Sequence, residues 1–440
     1  MLTTIDAVKA AVPSARDAVL RKGFPFEVAI VGLGYVGLPT ALAFHAAGHR
    51  VIGIDVSARR LDAIRGGDVD LLESDHLRLD SALSDPSAFV ISADPARLVE
   101  AAAVIVCVPT PVDEHLMPDL RALSSACETV VAHARPRQTL MLTSTTYVGC
   151  TRRMLVAPLA ARGLVAGRDV YVAFSPERID PGNSGHAHEK VPRIVGGITE
   201  ACAAKATAVL AGYASQLHVV SSAEAAEMTK LYENTFRAVN ISLANEFADI
   251  SSVLGLDVTE VIDAAATKPY GFMAFYPGPG VGGHCIPCDP HYLLWQLRAK
   301  RVPAPMIETA MALVAARPRQ VVRRAGEVLA AQGRPVTGAK VLVVGVTYKP
   351  GVSDVRESPA LEIISELRQA GASVNYTDVF IPNVVVDGEI LNRVDEPGRH
   401  RWDLIIAHTV HPGVDLSWLG DQPVLDTTYR LTGLAQRSGL

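Results

Sequence analysis

Gly32-Leu-Gly34-Tyr35-Val36-Gly37 constrains the fold of this chain more than any other stretch. It follows the apolar run Val28-Ala29-Ile30-Val31 and opens an Ala-rich segment, 38–47, that stops at Gly48. A second apolar run, Val51-Ile52-Gly53-Ile54, ends on Asp55. Strand, glycine turn, helix and a second strand closing on an acid are the parts of a dinucleotide-binding unit. The first glycine permits the tight turn, Gly34 lets the backbone approach a pyrophosphate, and Gly37 lets helix pack on strand. The helix N-terminus then offers N–H donors and a positive dipole end to the phosphates. Asp55 can accept hydrogen bonds from a ribose diol and would repel a 2′-phosphate. The expected cofactor is therefore NAD rather than NADP, although Arg59 and Arg60 weaken the preference slightly. Gly32, Gly34, Tyr35, Val36, Gly37, Asp55 and Arg60 are the expected cofactor contacts of this unit.

The 440 residues are enough for roughly two to four domains. The formal net charge of −5 suggests neither a nucleic-acid nor a membrane partner. Residues 1–24 read as a short helical extension, too charged for a signal-peptide core. No apolar run approaches the ~18 residues of a membrane span. A cytoplasmic location is expected. The six cysteines are dispersed, and no disulfide framework is read from them.

Further short β-type runs lie at 104–108, 139–144, 171–174 and 193–195, with helical stretches between several of them. Such alternation implies a parallel sheet covered by helices on both faces. The pattern changes near residue 222. From Ser222 to Leu254 there is no Gly or Pro, and Met228, Tyr232, Phe236, Val239, Leu243, Phe247, Ile250 and Leu254 step by three or four. That is the stripe of a long amphipathic helix. Helical pattern continues through 291–300 and 305–331, interrupted by Pro318. Alternation then returns, with strands at 340–344, 372–376, 403–407 and 423–425 and a helix from Ser358 to Ala370. The expected fold class is α/β, with two Rossmann-like doubly wound domains joined by a central all-helical domain. The expected divisions are an extension over 1–24, a NAD-binding domain over 25–221, a helical domain over 222–332 and a second α/β domain over 333–440. The last lacks the three-glycine pattern, and no other repeat is evident.

The stretch richest in chemistry is Tyr276-Pro-Gly-Pro-Gly-Val-Gly282-Gly-His284-Cys285-Ile-Pro-Cys288-Asp289-Pro-His291. So much glycine and proline describes a loop with special backbone angles and close ligand approach. A thiolate is a strong nucleophile, and an aldehyde is its natural target in a nicotinamide enzyme. Asp289, four residues on, can handle protons. His284, Cys285, Cys288 and His291 also have a zinc-like spacing, and Cys285 with Cys288 could form a redox pair. Pro287 and Pro290 stiffen the loop, and adjacent His284 and Cys285 are awkward for joint tetrahedral ligation. No metal is expected, and Cys288 reads as a buried filler.

These motifs together resemble the UDP-glucose/UDP-N-acetylmannosamine/GDP-mannose dehydrogenase family. The resemblance runs from about residue 25 to 430 and includes Cys107-Val-Pro-Thr110-Pro, Thr143-Ser-Thr145, Ser175-Pro-Glu177-Arg178, Glu227-Met-Thr-Lys230-Leu-Tyr-Glu-Asn234, Gly282-Gly-His-Cys285 and Tyr348-Lys349-Pro-Gly-Val-Ser-Asp354-Val-Arg356-Glu-Ser. It implies a NAD domain, a helical dimerisation domain and a UDP-binding domain, with a UDP-sugar as substrate and a homodimer as the assembly. It also implies roles. Cys285 forms a thiohemiacetal and then a thioester; Lys230, Asn234 and Asp289 surround the reacting oxygen; Glu177 and Thr145 position or activate water. Thr110, Thr145 and Arg356 join the cofactor set. Glu177, Arg178, Lys230, Asn234, Tyr276, Gly282 and Lys349 are implied for the substrate. Lys230 and Asn234 stand at i and i+4 on a helix face about 180° to 200° from the apolar stripe. Lys349 and Arg356 follow the carboxyl end of a strand, where α/β sheets place ligands.

Ser175-Pro-Glu-Arg-Ile-Asp180-Pro-Gly-Asn183, Ser144-Thr-Thr-Tyr147 and Tyr270-Gly-Phe-Met-Ala-Phe-Tyr276-Pro-Gly-Pro-Gly280 resemble the UDP-N-acetylglucosamine 6-dehydrogenase branch, with UDP-N-acetylmannosamine enzymes as its nearest competitors and UDP-glucose enzymes as the other alternative. Cys288 and Val148-Gly149-Cys150 depart from the branch's pattern without removing a catalytic group. A two-electron dehydrogenase and a NAD-binding protein without catalysis are the readings that differ in kind.

Overall fold

The structure is a computed structural model that describes residues 23–69, 71, 73–178, 190–283 and 286–440. His284, Cys285, residues 1–22 and residues 179–189, with Asp180, Pro181 and Asn183, lie outside the described residues. The chain forms two compact units, one ending at Leu231 and one beginning at Tyr232.

The first unit is built on β1 (Phe26–Val31), β2 (Val51–Ile54), β3 (Phe89–Ser92), β4 (Ala101–Val106), β5 (Thr139–Leu142), β6 (Tyr171–Phe174), β7 (Arg193–Gly197) and β8 (Leu217–Val220). Among the described residues they lie in the order β3-β2-β1-β4-β5-β6-β7-β8. Every residue of β2, β4 and β5 is buried, as expected of strands covered on both faces. Helix Gly37–Ala46 packs Leu38, Leu42 and Phe44 into a core shared with Val28, Ile30 and Ile105. The sequence reading takes the sheet as parallel throughout. In the structure β6 and β7 pair antiparallel, through Ala173 with Gly197 and Phe174 with Gly196. β3 and β8 were not read from the sequence; β8 has no residue buried outright, so it carries little apolar signal.

In the second unit β9 (Lys340–Val344), β10 (Ser373–Thr377), β13 (Leu404–Ala407), β14 (Val424–Asp426) and β15 (Arg437–Gly439) form a parallel sheet in the order β10-β9-β13-β14-β15. A hairpin of β11 (Asn383–Val386) and β12 (Glu389–Asn392) lies beside it in sequence. Helices Val258–Ala266, Asp289–Lys300 and Pro305–Ala331 supply the helical section, the last continuing through Pro318. No helix among the described residues is long and apolar enough to cross a membrane.

Helix Ala223–Leu254 lies within one residue of where the sequence places it, and its apolar stripe is the outward side. Glu227, Leu231, Thr235, Ala238, Ser242, Asn245 and Ala248 form its buried face, while the apolar stripe is exposed, from 40% at Met228 to 66% at Tyr232, except at half-buried Val239. The inward face uses small and polar residues because its contacts are hydrogen bonds and close approaches. Glu227 accepts from Gly149 N at 2.5 Å, Thr151 N at 2.8 Å and Thr151 Oγ1 at 2.7 Å, and Asn245 Oδ1 accepts from Gly278 N at 2.9 Å. Apolar periodicity fixes the angle of the stripe without saying what covers it.

The structure also shows a repeat that the sequence reading missed. At the end of β1, Gly32 has φ +90° and an added Cβ would lie 2.7 Å from Cys107 O; at the end of β9, Gly345 has φ +79° and its Cβ would lie 1.9 Å from Thr409 O. Asp55, after β2, accepts Leu33 N at 2.8 Å and Ser57 N at 2.9 Å. Asp378, after β10, accepts Val346 N and Phe380 N, each at 2.8 Å. Glycine turn, neighbouring amide and acid thus recur in the same geometry. The signal was hidden because Thr347 and Pro350 stand where Gly34 and Gly37 stand in the first unit.

His408, just beyond β13, gives a pH test of the second unit. Thr409 Oγ1 donates to Thr347 O at 2.7 Å, so His408 Nδ1, 2.8 Å away, must be the donor to that hydroxyl. Nε2 is then a bare, buried lone pair with no partner. Burial pushes the imidazole from its ordinary 6.5 down to about 3. The unfolded chain takes up this proton near pH 6.5, whereas the folded chain refuses it until about pH 3. The histidine therefore withdraws stability progressively as pH falls through that window. Denaturant unfolding of the native chain and of His408→Asn at pH 7 and pH 5 should show a smaller acid loss in the variant.

Candidate active site

The three glycines of the first unit have separable duties. Gly32 holds the left-handed turn. A Cβ on Gly37 would stand 1.8 Å from Gly32 O, so only glycine lets the helix start this close to the strand. A Cβ on Gly34 would meet nothing within 4 Å, which leaves an open backbone face. No side chain caps the helix that follows, and Val36 is its N-cap residue; Tyr35 is half-buried beside it. Asp55 uses two of about four carboxylate acceptor positions within the chain. Arg60 Nε donates to Leu33 O at 2.8 Å. An open glycine, an uncapped helix and an acid with spare acceptors fit NAD. Thr110 and Thr145, both half-buried, follow β4 and β5 at the carboxyl edge of the same sheet.

Glu177 follows β6. Its Oε1 receives Arg193 Nη1 at 2.6 Å and Arg178 N at 2.7 Å. Arg193, on β7, is buried and lies 5.6 Å from the Tyr213 ring centroid. Burial opposes its charge, yet the Glu177 carboxylate holds its pKa above the ordinary value. Arg178 Nη1 donates to Pro192 O at 2.9 Å. Lys230, only 9% exposed, donates from Nζ to Glu177 O at 2.8 Å. A charged residue opening the β-type run Arg193-Ile-Val was the available clue to Arg193, since a buried cation needs a partner.

In the second unit Asn234 Nδ2 donates to Asp289 Oδ2. Asp289 is 1% exposed and opens helix Asp289–Lys300, where the helix dipole favours an anion. Upstream, the glycines meet the segment after β9. Gly283 N donates to Arg356 O at 3.1 Å. A Cβ on Gly282 would lie 2.6 Å from both Glu357 O and Tyr348 Cβ. Tyr276, 40% exposed, donates from its hydroxyl to Asp263 Oδ1 at 2.7 Å. Lys349 Nζ stands 5.9 Å from the Tyr348 ring centroid. Arg356 is engaged by Asp354, with Nη2 to Oδ2 at 2.6 Å. Arg317, buried in helix Pro305–Ala331, donates to Gly278 O at 3.1 Å, Asp249 at 2.8 Å and Tyr429 Oη at 3.1 Å. It fixes the entry to the loop and was not singled out from the sequence. Cys288 is buried, as expected of a filler. Burial pushes the thiols of Cys107 and Cys127 up to about 12 and that of Cys150 up to about 11, which makes them poor nucleophiles.

The sequence matches the NAD binding domain of the UDP-glucose/GDP-mannose dehydrogenase family over residues 26–213, its central domain over 224–313 and its UDP binding domain over 342–430. The chain belongs to this family. It is a NAD-dependent UDP-sugar dehydrogenase. Protein CapL of Staphylococcus aureus is 36% identical, over 80% of this chain and 82% of its own. The UDP-N-acetyl-D-glucosamine 6-dehydrogenase of Pseudomonas aeruginosa is 33% identical, over 88% and 90%. Among solved structures, the UDP-D-ManNAc dehydrogenase of Pyrococcus horikoshii superposes with a TM-score of 0.85 at 29% identity, covering 94% of this chain and 98% of that one. The dehydrogenase thus has the parts the motifs imply: a NAD-binding sheet, a central helical section and a UDP-binding sheet.

Proposed function

We propose that this dehydrogenase oxidises the C6 alcohol of UDP-N-acetylglucosamine to the carboxylate in two hydride transfers, with Cys285 as the covalent nucleophile. The observation that supports this most is the Asn234–Asp289 hydrogen bond, which orients a buried carboxylate four residues beyond Cys285. Gly32, Gly34, Gly37 and Asp55 hold NAD, which supplies the hydride acceptor. Asp289, Lys230 or a bound water takes the hydroxyl proton as the hydride leaves. Lys230, anchored on Glu177 O, and Asn234 donate hydrogen bonds to each developing oxyanion. The Cys285 thiolate adds to the aldehyde carbon and keeps it from escaping. After the second oxidation, water attacks the thioester, the C–S bond breaks, and Glu177 and Asp289 manage the water's protons. Lys349 and Arg356, beyond β9, serve the diphosphate end and the cofactor respectively.

The sugar assignment rests on the resemblance carried by residues 175–183, 144–147 and 270–280 together. UDP-N-acetylmannosamine is the second candidate, because relatives with that activity match at similar identity. Two NADH should form per UDP-N-acetylglucosamine consumed, with kcat/KM at least about tenfold above UDP-N-acetylmannosamine and UDP-glucose. One NADH per sugar would discard the four-electron scheme. A preference for UDP-N-acetylmannosamine would discard only the sugar.

The proposal includes a cytoplasmic homodimer and domain limits at 25–221, 222–332 and 333–440. The exposed stripe of helix Ala223–Leu254 spans residues 228 to 254, about 39 Å of helix. An apolar strip of that length marks an interaction face, and a second copy offers the same strip across a two-fold axis. Light scattering should report a dimer. Phe247→Glu, at an exposed position on the stripe, should shift the mass to that of a monomer.

A further inference from the structure

Among the described residues, the pairing of β6 with β7 is the one antiparallel pairing in the first unit's sheet. In a strand parallel to the others, the first residue would lie at the amino edge. Reversal carries the first residue of β7, Arg193, to the carboxyl edge, where α/β sheets place their ligands. The register pairs Ala173 with Gly197 and Phe174 with Gly196. Continued three residues, it sets Arg193 opposite Glu177, and there the two side chains meet at 2.6 Å.

The side chains of Arg193 and Glu177 are 3% and 12% exposed. A pair this deep adds little stability over an apolar pair of the same shape, so folding alone does not account for a cation here. Glu177 Oε1 also receives Arg178 N at 2.7 Å, and Glu177 O receives Lys230 Nζ at 2.8 Å. Side chain and main chain of Glu177 are thus held by different cations, while the Arg178 guanidinium donates to Pro192 O. Cys107 faces the pair as a neutral thiol, pushed by burial up to about 12, and the Tyr213 ring centroid lies 5.6 Å from the Arg193 guanidinium. We propose that Arg193 is a positioning residue for thioester hydrolysis: it holds the Glu177 carboxylate in place as the anion that takes a proton from the attacking water. This rests on the hydrolytic step proposed above. In that step the water oxygen adds to the thioester carbon and a water proton passes to Glu177. The C–S bond breaks, leaving the uronic acid, the Cys285 thiolate and a protonated Glu177. Attraction within the ion pair is mutual, so removing the guanidinium disfavours the charged carboxylate.

The test is the decay of the covalent sugar adduct, followed by intact-mass analysis after a single turnover of the full chain. The substrates are NAD and whichever of UDP-N-acetylglucosamine and UDP-N-acetylmannosamine is turned over faster. In Arg193→Met the adduct should decay at least about tenfold more slowly at pH 7. The acid side of its decay-rate profile should move up by about 1 to 3 pH units. Arg193→Lys keeps the charge and should keep the native profile. A merely structural loss would slow adduct formation and decay alike and leave the profile in place. Removing one partner of a buried pair can prevent folding, so Arg193→Met is also placed in a Glu177→Gln background, which leaves no charge behind. That double variant should decay no more slowly than Glu177→Gln alone, because Arg193 acts through Glu177. The inference alone is overturned if Glu177→Gln slows decay and Arg193→Met does not. It is equally overturned if the two substitutions slow decay independently, or if a folded Arg193→Lys chain behaves like Arg193→Met. Unslowed decay in Glu177→Gln would instead discard the hydrolytic role of Glu177 itself.

Discussion

Cys285→Ser is expected to lower steady-state uronate formation by about 10³-fold or more, the scale on which losing a covalent nucleophile acts. A serine hydroxyl is far less ionised than a thiol at neutral pH and has no dedicated base in the proposed scheme. The first hydride transfer does not require sulfur, so the variant should release a little aldehyde with one NADH and then stall. The other five thiols, Cys288 among them, are all buried. Cys107, Cys127 and Cys150 are buried and held near 11 to 12, while Cys202 Sγ accepts Val172 N at 3.2 Å within the first unit's sheet. Intact-mass analysis should find a covalent sugar adduct on the native chain during turnover and none on Cys285→Ser. Retention of two NADH per sugar by the variant would remove the thioester from the scheme.

Gly37→Ala and Gly34→Ala should fail in different ways. The methyl group at position 37 would stand 1.8 Å from Gly32 O, a backbone atom at the end of β1 that cannot swing aside. Helix and strand must separate, at a cost of about 3 kcal/mol or more. For a unit of this size that lowers the melting temperature by roughly 6 to 12 °C, and NAD binding is lost with the turn. The methyl group at position 34 meets nothing in the protein within 4 Å. Gly34→Ala should therefore melt like the native chain yet bind NAD about ten- to a hundredfold more weakly, because the methyl group occupies the pyrophosphate's approach. Differential scanning calorimetry with and without NAD separates the two. Equal melting temperatures for both variants would refute the division of labour.

The sequence made these glycine roles legible because each is a backbone requirement that one residue type meets. Strands buried on both faces, such as β4, were equally plain, as was helix Ala223–Leu254, which contains no breaker. Which side of that helix is covered was not legible, because apolar spacing reports only that a stripe needs cover, whether from its own chain or another. β8 escaped notice because its residues are not buried outright. The ion pair of Glu177 with Arg193 joins residues 16 positions apart across an antiparallel strand pair, and the parallel sheet expected from the sequence contained no such pair. The repeat in the second unit was invisible because two of three glycines are replaced, leaving Gly345 and Asp378 as isolated letters.

The close packing of Gly282 and Gly283 against residues 348–357 has a further consequence for selectivity. With Gly283 N bonded to Arg356 O, and no room for even a methyl group on Gly282, there is no slack between the two segments. A guest that tilts the segment after β9 must drag along the backbone two residues before Cys285. Under the proposed chemistry, a poorly seated nucleotide is then penalised twice, once in its own contacts and again in the aim of the sulfur. Discrimination should accordingly fall on turnover as much as on occupancy.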